Sequence, residues 1–273
     1  MARIGPTAHY TGHVWGRNGL SHPRFDTVAG RVFHAALTPS MSLSRAVGGP
    51  TLEGMLLARH RILDALLSEA IDSGEVTQVI EIAAGLSPRG WRFAERYGDR
   101  ILYVDADLPG MAARKREALG AAGSRVRVEE LDALRDSGPH SLAAVAATLD
   151  RDAGLAIVTE GLLSYFTTDD VRGMWRRFAR VLGDFGTGLY LSDLHVGRTG
   201  RASIDRAFMA ALGAFVRGGV QTHFEGDEDA VAELRAAGFA EARLHRGERH
   251  PAAGDAARDP GARRVQVIEA RAD

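Results

Sequence analysis

Short apolar runs alternate with amphipathic stretches from about residue 78 onward. Helical spacing of apolar residues occurs near 88–97, 109–122, 139–149 and 168–183. The apolar runs between these stretches have the length of strands and are typical of strands buried on both faces. They are QVIEIA (78–83), ILYVDA (101–106), RVRVEEL (125–131), LAIVTE (155–160) and GLYLSD (188–193). This alternation predicts an α/β fold, a Rossmann-like sheet that is mostly parallel and carries helices on both faces.

The carboxyl-terminal part of the chain departs from that alternation. A helix near 227–237 precedes two further strands, near 239–246 and 263–270. The segment between those strands, 247–262, is polar and rich in Gly and Pro, which predicts an exposed loop.

The amino-terminal part is irregular before residue 51. Residues 1–50 are rich in Gly, Pro, His and Ser and contain scattered aromatic residues. Because aromatic residues are scarce in disordered segments, we expect an arm or lid packed on a larger domain, with disorder as the alternative. Residues 51–74 follow with the apolar spacing of a long helix. The sequence thus predicts a lid or arm (1–50) and one α/β domain (51–273).

Composition removes several classes of protein. A net charge of −1 argues against a protein that neutralises many nucleic-acid phosphates. The absence of cysteine excludes disulfides, thiolate nucleophiles and cysteine-ligated metals. No apolar run approaches the ~18 residues of a membrane span, and the first twenty residues lack a signal-peptide core. We therefore expect a cytoplasmic protein with neither a nucleic-acid nor a membrane partner.

The chain has a single lysine, Lys115. Without a Gly-Lys pair, a phosphate-binding P-loop is excluded. No tyrosine begins a Tyr-x-x-x-Lys sequence, so the usual short-chain dehydrogenase pair is missing as well. Neither histidine spacing nor carboxylate grouping predicts a metal site.

The first strand leads into a turn of small residues. Ala83, Ala84 and Gly85 let a backbone approach a ligand closely, and Gly85 can take a positive φ. Ser87 and Pro88 suit the cap and first position of the next helix. The turn is compatible with cofactor binding, although a G-x-G-x-x-G motif is absent, and a plain tight turn is the alternative.

Carboxylates follow the second and third strands. Asp107 lies 22 residues after Gly85, which matches the offset of about 20 at which an acid receives ribose hydroxyls. Asp132, between Leu131 and Ala133, is placed to meet an adenine amino group. The alternative for each is an ordinary strand-end or turn charge.

The fourth strand ends in Glu160 and Gly161, a carboxylate suited to an ammonium group, or else a plain strand-ending charge. Acids for a ribose, an adenine and an amino group, without a phosphate site, predict S-adenosylmethionine as the cofactor. Arg59, on the preceding helix, is the candidate partner for its carboxylate.

Four segments resemble one protein family. They are RHRILD (59–64), VIEIAAGLSPR (79–89), YVDADLP (103–109) with Lys115, and TEGLLSY (159–165). The chain resembles the leucine carboxyl methyltransferase-like group of class I S-adenosylmethionine-dependent methyltransferases, which includes bacterial polyketide O-methyltransferases. The resemblance spans roughly residues 55–185. In the first loop, Ala83 stands where the family more often has glycine, and Ser87-Pro88 replace Asp-Thr.

The resemblance implies a seven-stranded sheet whose last strand is antiparallel, within a methyltransferase domain of residues 51–273. It implies that Arg59 holds the cofactor carboxylate, Asp107 the ribose and Glu160 the amino group, and that Glu81 supports the loop. The implied cofactor-binding residues are Arg59, Glu81, Ala83, Gly85, Asp107, Leu108, Leu131, Asp132, Ala133, Glu160 and Gly161.

Candidate catalytic groups are few. A carboxylate acceptor needs no base at neutral pH, whereas a hydroxyl acceptor profits from one. Tyr165 and His195, which follow the fourth and fifth strands, are the candidates, with structural roles as the alternative. Asp193 orients His195 only if the backbone turns between them. A substrate-facing lid, or else aromatic packing, is expected of His9, Tyr10, His13 and Trp15.

The favoured hypothesis is an S-adenosylmethionine-dependent O-methyltransferase. Its acceptor is expected to be a carboxylate or hydroxyl of a small molecule, such as a polyketide or other secondary metabolite. The alternatives are a protein carboxyl methyltransferase, a nicotinamide-dependent Rossmann oxidoreductase and a non-catalytic cofactor-binding protein. The sequence does not predict the oligomeric state.

Overall fold

A seven-stranded sheet forms the centre of the computed structural model, which describes residues 6–120, 125–196 and 221–273. The strands are β1 (Gln78–Ile82), β2 (Leu102–Asp107), β3 (Val126–Glu130), β4 (Gly154–Thr159), β5 (Thr187–Leu194), β6 (Glu241–Arg246) and β7 (Gln266–Ala272). The helices of the described ranges are α1 (Pro6–Arg17), α2 (Val28–Ala46), α3 (Leu52–Asp72), α4 (Arg89–Tyr97), α5 (Pro109–Leu119), α6 (Leu142–Ala146), α7 (Thr168–Leu182) and α8 (Asp227–Ala236).

The strand order is β3-β2-β1-β4-β5-β7-β6. Strands β1 to β5 are parallel, and β7 runs antiparallel to both β5 and β6. The antiparallel last strand is therefore confirmed. Because the order reverses between β1 and β4, a crevice is expected at the carboxyl ends of those two strands.

Both faces of the sheet are buried, which explains the uninterrupted apolar runs of the sequence. Along β1, Val79 packs into a core with α3, whereas Ile80 packs into a second core with α7. Each predicted strand and helix is present within three residues of its expected bounds. Residues 121–122, the end of one predicted helix, lie outside the described residues.

The amino-terminal segment is more regular than its composition indicates. Instead of an irregular arm, it contains α1 and α2, which pack against each other. The Thr27 hydroxyl accepts a hydrogen bond from the Gly30 N–H and caps α2. Tyr10 and Val14 of α1 are buried in the same core as α3.

The prediction of an exposed loop over 247–262 is wrong. This segment forms 3₁₀ turns (Pro251–Arg258 and Pro260–Arg264) that pack along α3. Its small residues allow the close approach, since Ala253 and Ala262 are fully buried. The Asp259 carboxylate accepts hydrogen bonds from the Thr51 N–H and hydroxyl, at 3.0 and 2.5 Å, which ties the segment to the start of α3.

No helix in the three described ranges is long and apolar enough to cross a membrane.

Candidate cofactor site

The loop that follows β1 takes the left-handed backbone region twice. Gly85 has φ 50°, as its sequence position predicts, and Ala83 has φ 55°. A residue with a Cβ is strained at such a φ, whereas glycine is not. The Ala84 N–H donates to the Ala106 carbonyl (3.2 Å), so the loop stays in contact with β2.

Asp107, the last residue of β2, contacts residues that follow β1 and β3. Its carboxylate accepts hydrogen bonds from the N–H groups of Gly85 and Leu108, each at 2.7 Å. Its carbonyl accepts from the Leu131 N–H at 2.8 Å, beyond β3. Burial raises the pKa of Asp107, and the two N–H donors oppose that shift. The structure thus brings Gly85, Asp107, Leu108 and Leu131 together.

On the other side of β1, Arg59 of α3 is buried between two carboxylates. Its Nε donates to Glu160 at 3.0 Å and its Nη1 to Asp193 at 3.1 Å. Burial lowers the pKa of Arg59, but these carboxylates more than offset it and raise the pKa. Gly161 allows close approach, because an added Cβ would lie 3.1 Å from Arg59 Nη2. Arg59, Glu160 and Gly161 therefore form one unit.

Arg89, at the start of α4, is a central residue that the sequence pattern does not predict. It is fully buried and donates to Asp64 at 2.7 Å, to Glu81 at 2.7 Å and to Glu160 at 2.5 Å. His60 Nδ1 also lies 2.8 Å from Glu160. The only sequence signal for Arg89, His60 and Asp64 was their place inside the segments that resemble the family.

Glu160 stays ionised in this cluster. Burial raises its pKa, but His60, Arg89 and Arg59 reverse the effect and leave the pKa well below the usual value. Both Glu160 oxygens accept from protein donors, so contact with an amino group remains a prediction. Glu81 bonds to Arg89 and to the Tyr103 hydroxyl (2.7 Å), an arrangement that suits a support for the loop.

Both candidate catalytic residues lie near Arg59. Tyr165, in a 3₁₀ turn after β4, is 45% exposed and is one of the groups that raise the pKa of Arg59. His195 follows β5 and interacts electrostatically with Arg59 and Asp193. Asp193 does not orient His195, since its carboxylate binds Arg59 and the Gly161 N–H (2.6 Å).

The tautomer of His195 follows from its surroundings. Its Nδ1 lies 2.9 Å from the Arg264 carbonyl oxygen, so Nδ1–H donates and Nε2 keeps a lone pair. Burial lowers the pKa of His195, and Asp193 opposes that shift. A neutral imidazole whose Nε2 carries a lone pair has the protonation state of a general base.

The adenine-side residues make ordinary turn contacts. Asp132 accepts a hydrogen bond from the Leu134 N–H at 3.0 Å. Ala133 is partly buried, and its carbonyl lies 3.4 Å from Arg177 Nη1. Their contact with adenine remains a prediction.

The proposed lid residues divide into two groups. Trp15 of α1 packs on His60, with ring centroids 4.8 Å apart. It therefore touches the charged cluster, which consists of Arg59, His60, Arg89 and Glu160. His9 and His13 instead bind Thr27 and Asp26, each at 2.9 Å, and join α1 to the segment before α2.

Comparison with known proteins points to one family. The sequence profile described as leucine carboxyl methyltransferase matches residues 22–179, which is more than half of the chain. A Streptomyces coelicolor protein, described as a candidate S-adenosyl-L-methionine-dependent methyltransferase, is 35% identical over 119 residues. That match covers 42% of this chain and 40% of the relative, so the chain spans less than half of the relative's length.

The fold agrees with that result. The crystal structure of a candidate methyltransferase from Thermobifida fusca superposes with a TM-score of 0.64, covering 97% of this chain and 94% of that one. The two share 13% identity, so the likeness concerns the fold alone.

One match points elsewhere. A cytidylate kinase of Cupriavidus pinatubonensis is 26% identical over 179 residues, 60% of this chain and 80% of the kinase. A phosphate-binding P-loop requires a Gly-Lys pair. The single lysine here follows Arg114 and is buried against Asp105, so the residues for that chemistry are missing.

Proposed function

Since this chain belongs to the leucine carboxyl methyltransferase family, we propose that it binds S-adenosylmethionine and methylates an oxygen of a small molecule. One observation carries the proposal. The Asp107 carboxylate accepts a hydrogen bond from the Gly85 N–H on one side of β1, and the Arg59–Glu160 ion pair lies on the other side. Both features lie at the carboxyl ends of the strands, next to the point where the strand order reverses.

The residues present fit this cofactor. Arg59 Nη2 donates to no residue of the described ranges, which leaves N–H groups for a carboxylate. Each Asp107 oxygen accepts one hydrogen bond and keeps lone-pair capacity for ribose hydroxyls. Glu160 would receive the ammonium group, and Ala83 and Gly85 would lie along the methionine chain. Leu108, Leu131, Asp132 and Ala133 would surround the adenine.

When bound, the cofactor would supply an electrophilic methyl group on a sulfonium sulfur, which leaves as a neutral thioether. The remaining catalytic task is to align and deprotonate the acceptor. His195 Nε2 would take the proton of an acceptor hydroxyl, and the Tyr165 hydroxyl would hydrogen-bond the acceptor oxygen. A base in the neutral state favours a hydroxyl acceptor, such as a phenol of a secondary metabolite, over a carboxylate.

The amino-terminal helices would complete the site. We assign residues 1–50 the role of a lid on the methyltransferase domain of residues 51–273. The contact between Trp15 and His60 supports this role, because His60 also lies 2.8 Å from Glu160 and so links α1 to the residues of the proposed site.

Calorimetry with S-adenosylmethionine tests cofactor binding. The wild-type chain should bind with a micromolar Kd, and Asp107→Ala should weaken binding at least tenfold, since two charge-assisted hydrogen bonds and the ribose contacts are lost. The matched control is Asp184→Ala. Asp184 lies between α7 and β5, at the amino end of β5 and therefore away from the carboxyl ends of the strands. No binding by the wild-type chain would refute the proposal.

An acceptor panel tests the reaction. Phenols and alcohols should be methylated, and His195→Gln should reduce kcat on them by roughly 10²-fold. Carboxylate acceptors and peptides with a carboxyl-terminal leucine are the comparison. Equal loss on hydroxyl and carboxylate acceptors would remove His195 as the base. A chain that binds the cofactor but methylates nothing in the panel would support the non-catalytic alternative.

A further inference from the structure

The single lysine of this chain is buried. Lys115 lies on α5 with 1% of its surface exposed, although lysine is almost never fully buried unless it is paired. None of the cofactor contacts proposed above involves it. Its burial therefore calls for a separate explanation.

The Lys115 ammonium joins three parts of the molecule. It lies 3.1 Å from Asp105 Oδ2 on β2 and donates a hydrogen bond to the Ser87 carbonyl. It also lies over the Phe25 ring, 5.4 Å from the centroid, in the segment between α1 and α2. Ser87 ends the loop that contains Ala83 and Gly85. Lys115 therefore connects that loop to Asp105 of β2.

Asp105 depends on Lys115 for its charge balance. It is 1% exposed, and neither oxygen makes a standard hydrogen bond to another residue of the described ranges. Burial raises the pKa of Asp105 to about 6, and Lys115 opposes that shift. A Cβ added at Gly90 would lie 2.7 Å from Asp105 Oδ1, so the first turn of α4 also rests on this carboxylate.

The pair is poorly explained by stability alone. A buried ion pair often contributes less than well-packed apolar residues of the same volume, because desolvation offsets the attraction. The apolar side of the loop is already anchored, since Leu86 is buried in one cluster with Phe25. An apolar residue in place of Lys115 could not donate a hydrogen bond to the Ser87 carbonyl.

We propose that Lys115 is a positioning residue, which fixes the loop of residues 83–88 so that Gly85 meets Asp107 in the geometry that receives the cofactor. The cofactor part of this inference rests on the proposed function. The loop-fixing part concerns the protein alone and can be measured without a ligand.

The test uses Lys115→Met together with Asp105→Asn. Lys115→Met alone leaves a buried carboxylate unpaired and should lower the melting temperature strongly. The double variant has no unpaired charge, so it should melt within about 4 °C of the wild type, a shift of roughly 1 kcal/mol for this chain length. Arg114→Met, on the exposed face of the same helix, is the matched control.

Amide hydrogen exchange of residues 83–90 is the ligand-free readout. In the double variant we expect exchange at least tenfold faster there, with the rest of the sheet unchanged, and wild-type exchange in the Arg114→Met control. Exchange at the wild-type rate in the folded double variant would overturn the inference.

Cofactor binding gives a second readout. The double variant should bind S-adenosylmethionine at least tenfold more weakly than the wild type, and wild-type affinity in this variant would also overturn the inference. Failure of the proposed function is distinguishable, since it would appear as absent binding by the wild-type chain, whereas the exchange result would still test the loop.

With ¹³Cε-lysine, Lys115 gives a single resonance, which should shift when the cofactor binds.

Discussion

The strained residue in the cofactor loop allows a quantitative prediction. Ala83 has φ 55°, a conformation that costs a residue with a Cβ about 1–2 kcal/mol. Ala83→Gly removes that strain but adds the backbone entropy of glycine, about 0.5–1 kcal/mol. The net expectation is a stabilisation of about 0–1.5 kcal/mol, which corresponds to a melting temperature raised by up to about 6 °C.

Two glycine variants serve as matched comparisons. At Gly85, φ is 50° and an added Cβ would meet only the Ala83 carbonyl oxygen, at 3.9 Å, so the cost of alanine is backbone strain. At Gly74, φ is 81° and nothing lies within 4 Å of the added Cβ. Each change to alanine should destabilise the protein by about 1 kcal/mol. Gly85→Ala should also weaken S-adenosylmethionine binding, whereas Gly74→Ala, at the opposite edge of the sheet, should not.

Urea unfolding followed by circular dichroism, together with calorimetry, measures both effects. A lower free energy of unfolding for Ala83→Gly would show that the backbone strain at this residue is absent. An equal loss of cofactor affinity in Gly74→Ala and Gly85→Ala would show that Gly85 has no special role in cofactor binding.

Further expectations concern the charged cluster, the proposed base and the lid. Glu160→Gln should lower the free energy of unfolding by about 3–5 kcal/mol in urea titrations, because Arg59 and Arg89 would lose a buried partner; a loss below 1 kcal/mol would contradict this. Burial lowers the pKa of His195, so kcat/KM should fall only below pH 6.5, and His195→Gln should abolish that acidic limb. Because unfolded His195 binds a proton at a higher pH than the folded residue, this residue's contribution to stability should decline as pH falls through the same range, as unfolding at several pH values would show. Trp15→Ala should raise the acceptor KM more than the cofactor Kd, and the reverse order would argue against α1 as a lid.

The amino-acid sequence determined the layered architecture and part of the site. Apolar runs of strand length separated by helical periodicity specify a sheet buried on both faces, because these patterns are local and repeat along the chain. The parallel topology then places the ends of β1, β2 and β4 at one edge. For that reason the strand pattern predicts that the loop after β1 lies near the end of β2, whereas the hydrogen bond from the Gly85 N–H to Asp107, at 2.7 Å, is seen only in the structure.

Only the tertiary structure decided which charges are buried together. In the sequence, Arg89, His60 and Lys115 look like ordinary helix residues, which are usually solvated. Arg89 meets Glu160 across 71 positions of the chain, and Arg59 meets it across 101. The same holds for Ala253, Ala256 and Ala262, which are buried because α3 lies against their segment. Such contacts depend on how the helices pack on the sheet, and no local pattern encodes that packing.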